Sequence, residues 1–135
     1  MRFSSLTLTV LFLYSFLSIA QQTMEYLTID QGLSQNYIFS ICQDSKGFIW
    51  VGTKDGLNRF DGKRFICYRH DPFDSSSLSG NSVSTIYKDS KHRLWVGTNG
   101  GGLNLFNPSS LAFKHYIAGQ NSKTLSSNFI SCIFE

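Results

Sequence analysis

The sequence predicts an all-β fold of short, four-stranded antiparallel sheets repeated in tandem, and three observations predict it. Leu33-Ser34-Gln35-Asn36 returns as Leu78-Ser79-Gly80-Asn81 and as Leu125-Ser126-Ser127-Asn128, at offsets of 45 and 47 residues. Between positions 33–53 and 78–98, 11 of 21 residues are identical without a gap. Aromatic residues make up 15% of the 135-residue chain, and no stretch after residue 20 sustains apolar spacing at i, i+3, i+4 and i+7 over a helix length. A period near 45 lies within the roughly 40–50 residues of a propeller blade. The expected architecture is an incomplete β-propeller: about two four-stranded blades, with partial blades on either side, after an N-terminal signal helix.

The first twenty residues have the layout of a secretory signal. Arg2 supplies a positive charge, residues 6–19 are uncharged and mostly apolar, and Ser18 and Ala20 place small residues before a cleavage point at Gln21. The apolar run is short for a membrane span of about 20 residues. A cleaved signal peptide over 1–20 is the expectation, with an uncleaved anchor as its rival. Either places the rest of the chain outside the cytoplasm, in the periplasm or beyond it.

Each strand of the repeat is expected on its own chemistry. Residues 38–43 are short and apolar-rich. Asp44-Ser45-Lys46-Gly47 is a turn, because Asp accepts nearby backbone N–H groups and Gly tolerates positive φ. Large residues alternate over 48–53, Gly56 interrupts them, and 57–60 forms a third strand. Asp61-Gly62-Lys63 is the next turn, and 65–69 the fourth strand. Asp89, Trp95, Gly97, Thr98, Gly102 and Leu103 repeat Asp44, Trp50, Gly52, Thr53, Gly56 and Leu57. All twelve read as architecture: Trp fastens one sheet to the next, Gly permits close approach, Asp seals the hairpin and Thr satisfies loop amides. The second unit has His92 where the first has Gly47, so its turn is expected to be of a different type.

The units divide the chain as follows. Residues 21–32 form a shared closing strand, at 25–28, and a connector. Residues 33–77 are the first blade repeat and 78–124 the second. Residues 125–135 begin a third, in which 129–135 answers 37–43. Rings need about four to eight blades, so the expected partners are further blades of a longer chain.

The 44–61 unit, Asp44-Ser45-Lys46-Gly47-Phe48-Ile49-Trp50-Val51-Gly52-Thr53-Lys54-Asp55-Gly56-Leu57-Asn58-Arg59-Phe60-Asp61, resembles the two-component regulator propeller repeat. Its 89–106 counterpart does too, as do the connecting Asp71-Pro72-Phe73-Asp74 and Ser77-Leu78-Ser79-Gly80-Asn81. The likeness covers about 26–135. It implies the periplasmic sensor of an inner-membrane hybrid two-component protein, with downstream sensor domains, a membrane span and a histidine kinase. It also implies a ligand derived from polysaccharide. No kinase phosphoacceptor segment or nucleotide-binding glycine box lies in these residues. A secreted propeller scaffold without a kinase is the first alternative. The edge of a propeller enzyme such as a glycan lyase is the second, disfavoured because no carboxylate pair or His/Asp cluster recurs at equivalent loops.

Composition and spacing exclude most other chemistry. The net charge of +3 is scattered, which argues against nucleic acid. A membrane enters only through the signal or a downstream span. Gly100-Gly101-Gly102 lacks the Lys-Ser/Thr of a phosphate loop and reads as a strand turn. His70, His92 and His115 occupy non-equivalent repeat positions, so no metal site is expected. Asp71 and Asp74 lack the alternation of a calcium loop. Three cysteines, Cys42, Cys67 and Cys132, are read as buried free thiols in strand-like runs. No catalytic residue or cofactor is assigned. A sugar would meet aromatic faces and planar polar groups at loop tips, which leaves Tyr37, Arg69, His70, Phe73 and Asn99 as ligand candidates.

Overall fold

The computed structural model describes residues 24–119 and 124–135. The expected signal peptide over 1–20 lies outside the described residues. Among those described, eight strands form two separate four-stranded sheets. Blade 1 holds β1 (Ile38–Gln43), β2 (Ile49–Thr53), β3 (Gly56–Phe60) and β4 (Phe65–Tyr68). Blade 2 holds β5 (Val83–Lys88), β6 (Leu94–Thr98), β7 (Gly102–Asn107) and β8 (Ala112–Tyr116). Strand order follows chain order in both, and every neighbouring pair is antiparallel. These are two meanders, as the repeat predicts.

The ladder between the first two strands agrees to the residue in the two blades. Ile38 pairs with Thr53 and Val83 with Thr98, and each first strand carries a register shift at the next residues, between Ile38 and Ser40 and between Val83 and Thr85. Small shifts from expectation have local causes. Phe48 belongs to the turn, because its N–H binds Asp44 Oδ1 at 3.0 Å and its carbonyl accepts from Asp44 N at 3.0 Å. Gly56 joins β3 through its pairing with Thr53. Arg69 leaves β4 to reach Asp55. Residues 24–28 carry no ladder among the described residues. The chain enters blade 1 through a 3-10 turn, Ile29–Gln31, capped by Thr28 and Gln31 in a capping box.

The second Asp turn corrects one expectation. Gly47 has φ 88° and His92 has φ 61°, so both occupy the left-handed region and the two turns are of one kind. The hydrogen bonds impose it. Gly47 N donates to Asp44 O at 3.2 Å, and His92 N donates to Asp89 O at 2.9 Å. The turn holds His92 in a conformation that favours glycine.

The core lies between the sheets. Trp50, Leu57, Leu78, Val83, Ile86, Leu94, Val96, Phe106 and Phe113 are buried together, with Tyr68 packed against them. Trp50 is 1% exposed and meets Phe106 edge-on, with ring centroids 4.9 Å apart. Tyr68 contacts Phe106 and Phe113, each at 5.7 Å. Such ring pairs add about 0.5–1.5 kcal/mol each beyond area burial. The sheets approach closely at Gly52, where an added Cβ would stand 2.6 Å from Val83 Cγ1. The cysteines are all free. Cys42 and Cys67 are half-buried, and burial pushes both thiols up. Cys132 is exposed, contrary to expectation, because 131–135 pairs with no second strand among the described residues.

Two outcomes follow for stability. Gly52→Ala overpacks the sheet contact and costs about 1–3 kcal/mol, read as a lower urea midpoint by tryptophan fluorescence. His92→Gly relieves the left-handed residue and raises that midpoint, by about 0.5–1 kcal/mol. An unchanged midpoint in either variant contradicts the corresponding local argument.

Candidate functional site

The blades present two ends. One carries the β2–β3 and β6–β7 turns and the Leu-Ser-x-Asn connectors. The other carries the Asp turns between the first two strands of each blade. All five sequence-derived ligand candidates lie toward the connector end, but the fold employs most of them. Arg69 pairs with Asp55 Oδ2 through Nε at 3.2 Å and Nη2 at 3.0 Å. His70 donates its N–H to Asn81 Oδ1 at 2.7 Å, and its Nδ1 lies 2.9 Å from Leu78 O. Asn99 N donates to Ser82 O at 2.9 Å and its Nδ2 to Ser82 Oγ at 3.3 Å. Its bridge to Phe129 ties blade 2 to the C-terminal segment.

Two candidates present free aromatic faces. Tyr37 is 63% exposed, leans on Phe39 at 5.2 Å between ring centroids, and borders a shallow depression with Ile29, Gln35 and Asn36. Phe73 is 97% exposed at the tip of the 70–77 connector. That connector is a set of Asx turns: Asp71 Oδ1 accepts from Phe73 N at 2.9 Å, and Asp74 Oδ1 from Ser76 N at 2.8 Å. Its carboxylates are engaged by its own backbone, and among the described residues no three His, Cys, Asp or Glu side chains cluster as metal ligands would.

At the opposite end the sheets part to leave a groove of about 180 Å³. Trp50, Leu94, Phe106 and Pro108 line it with apolar surface, and Asp44, Ser45, Lys46, His92 and Arg93 supply its polar groups. Sequence reasoning missed this groove. Its residues come from both Asp turns, and only the stacking of one blade on the next brings them together. The repeat offset was the available signal, because His92 and Arg93 stand one period after Gly47 and Phe48.

The groove walls are braced by one carboxylate per blade. Asp44 Oδ2 accepts the Trp50 indole N–H at 2.8 Å, and Asp89 Oδ2 accepts that of Trp95 at 2.9 Å. Asp89 Oδ1 also takes Lys91 N at 3.0 Å and Arg93 N at 2.8 Å, and Arg93 Nε lies 2.5 Å from Oδ2. Burial pushes the Asp89 carboxyl up, but the Trp95 indole, the Arg93 amide and the Arg93 guanidinium outweigh it and hold the group at about 2, below its ordinary 3.8.

Tandem four-stranded meanders stacked face to face define this chain as a β-propeller protein. Residues 32–55 and 77–100 each match the profile of the family described as two component regulator propeller. The extracellular domain of a B. thetaiotaomicron protein assigned to the hybrid two component systems superposes with a TM-score of 0.71 at 38% identity. That match covers 78% of this chain and 15% of the other. A second B. thetaiotaomicron extracellular domain has been assigned to both the one component and the hybrid two component systems. It gives TM-scores of 0.63 at 33% and 32% identity, over 79% of this chain and 15% of its own. Histidine kinase P4 of Formosa agariphila is 45% identical over 73 residues, which is 49% of this chain and 5% of that protein. The chain thus spans a small fraction of each of these relatives.

The Asp89 carboxyl sets a pH dependence. Its folded value lies below its unfolded one, so its contribution to stability is complete above about pH 4 and is lost as pH falls toward 2. Asp89→Asn flattens the decline in urea midpoint across that window. An equally steep decline in the variant contradicts the assignment.

Proposed function

We propose that this chain is a non-catalytic, extracytoplasmic sensory segment of a two component signalling protein. In this reading the propeller, completed by further blades, binds a glycan-derived ligand and passes the event to a histidine kinase. The observation that carries the reading is the 38% identity over 78% of the chain to an extracellular domain assigned to a hybrid two component system. The fold supports a binding role: exposed aromatics such as Tyr37 and Phe73 stand on a rigid β scaffold, where recognition commonly resides. Signalling then follows from differential affinity, because a ligand that binds one blade arrangement more tightly shifts the population toward it.

A second reading keeps the sensing and drops the kinase. It is favoured by the one component assignment given to one of the similar extracellular domains. The codons that follow Glu135 separate the two. A membrane span with a kinase supports the first, and a stop after one closed ring supports the second.

Ligand binding is tested by thermal melting of the chain against a panel of neutral and acidic oligosaccharides. One glycan class is expected to raise the melting temperature saturably, by the equivalent of about 2.7 kcal/mol at a hundredfold excess over the dissociation constant. A panel without any shift overturns the glycan assignment. Turnover of a glycan by the chain overturns the non-catalytic one.

A further inference from the structure

The face that blade 1 turns toward blade 2 carries a cation, Arg59. Ladder register places it there: Arg59 pairs with Trp50 across β2 and β3, and Leu57, two residues before it, pairs with Tyr68 on β4. Tyr68 in turn meets Phe106 and Phe113 of blade 2. These residues lie inside the pair of blades, so blades stacked before or after the pair leave them as they are. In blade 2 the same ladder position holds Leu105, which pairs with Trp95. The blade plan therefore accepts a leucine where this face has a cation.

That cation lacks a counter-charge. Among the described residues Arg64, Arg69 and Arg93 reach carboxylates at 3.5, 3.0 and 2.5 Å, and Arg59 reaches none. Its Nε is buried without a hydrogen-bond partner, and so is the Tyr68 hydroxyl. Both side chains lie on one indole: the guanidinium carbon is 5.9 Å from the Trp50 ring centroid, and the Tyr68 centroid 5.8 Å from it. Phe48 adds a second ring 4.7 Å from the guanidinium. A ring face attracts the charge but accepts no in-plane N–H bond. The guanidinium has only donors to offer, and the phenol has one more. An unmet buried donor is costly, and two beside one cation call for an anionic acceptor.

We propose that Arg59 and Tyr68 form a carboxylate-binding site at the junction of the blades. Arg59 donates through the planar fork that fits a carboxylate, and Tyr68 donates its O–H. Trp50 also lines the groove of about 180 Å³, so the body that bears the carboxylate has that space beside it. The volume is below the roughly 300–1,000 Å³ of sites for drug-sized ligands, which limits the body to a single ring. A small ring acid, such as a sugar acid, is the class this describes. The site goes beyond the sensory reading and does not depend on it, because a free acid fills it as well as the acidic end of a glycan does.

Urea unfolding of the full chain, followed by tryptophan fluorescence, tests this with acetate, glucuronate and glucose, chloride holding the ionic strength constant. Acetate raises the midpoint saturably, glucuronate does so at several-fold lower concentration, and glucose has no effect. Tyr68→Phe, which keeps the ring, needs at least about threefold more acetate for the same rise. Arg59→Leu, the residue that blade 2 carries, folds and loses the response to both acids. Arg64→Gln keeps the response, since Arg64 lies on the turn between β3 and β4. Circular dichroism verifies each fold. If Arg59→Leu is unfolded, Arg59→Lys takes its place, with a response weakened at least about fivefold. A wild-type midpoint that follows ionic strength alone overturns the proposal, because water then meets both donors. So does a response that survives in Arg59→Leu or is lost in Arg64→Gln. Glucose acting as strongly as glucuronate overturns the carboxylate assignment, and glucuronate acting no better than acetate overturns the place given to the groove.

Discussion

The indole of Trp50 is where two sheets become one structure. A four-stranded meander has one apolar face too many to stand alone in water, and stacking on a second sheet is the simplest way to hide it. Trp50 is the largest fully buried side chain among the described residues, and its position leaves little slack. On one side its N–H is fixed to Asp44 at 2.8 Å; on the other its ring meets Phe106 and lies beside Tyr68, with centroids 5.8 Å apart. Asp44 in turn is fixed by the turn amides it accepts. One carboxylate therefore couples the hairpin between the first two strands to the packing between blades. The same chain of constraint recurs from Asp89 to Trp95, with fewer neighbours over the indole.

The connectors solve a second problem, the orphan backbone groups where the chain crosses from the outer strand of one blade to the inner strand of the next. The Leu-Ser-x-Asn segment meets them with three residues. Leu78 is buried in the interface. Ser79 N donates to Asn104 Oδ1 at 3.0 Å, as Ser34 N does to Asn58 Oδ1 at 2.9 Å. Asn81 then serves the preceding blade twice: its carboxamide oxygen takes His70 N, and its carbonyl takes Gly56 N at 2.7 Å. Asn128 does the same for Ala118 N at 2.6 Å and Gly102 N at 2.9 Å. The motif is thus a clasp between blades, which explains its recurrence with period fidelity while the residues around it vary.

This division also explains what was legible in the sequence. The strands, their order and the blade packing were legible because they answer to short-range rules and because the second copy repeats them. The Asn clasp was visible only as a recurring letter, since its partners lie on another blade. Asn58 and Asn104, each fully buried, went unread for the same reason: their amides bind Val51 O and Val96 O across a ladder that the pattern alone does not specify. His92 was misread because glycine preference is a local rule, and the Asp89 turn overrides it with two backbone bonds. The ligand candidates were chosen as loop-tip chemistry. Position alone did not reveal that Arg69, His70 and Asn99 would find side-chain partners within the scaffold, whereas the rings of Tyr37 and Phe73 stay exposed.

The two blades act as internal controls for each other, and that comparison carries the argument one step past the fold. Where the copies agree, the shared plan accounts for the residue. Where they differ, the plan tolerates alternatives and some other demand can decide. Arg59 is the clearest such position inside the sheet. It pairs with Trp50 where Leu105 pairs with Trp95, and its guanidinium lies 4.7 Å from the Phe48 ring centroid and 5.9 Å from that of Trp50. A leucine satisfies the same ladder position, so the cation is not required by the meander. It sits on the indole whose packing joins the blades and beside Tyr68, whose phenol burial pushes up. At Trp95 a cation lies over the ring too, but it comes from the Asp turn: the Arg93 guanidinium is 5.2 Å from the ring centroid, so the two indoles reach a cation by different routes. Sensitivity of the packing between blades, rather than of any single blade, is what a propeller needs if binding at one end is to be felt by whatever adjoins it.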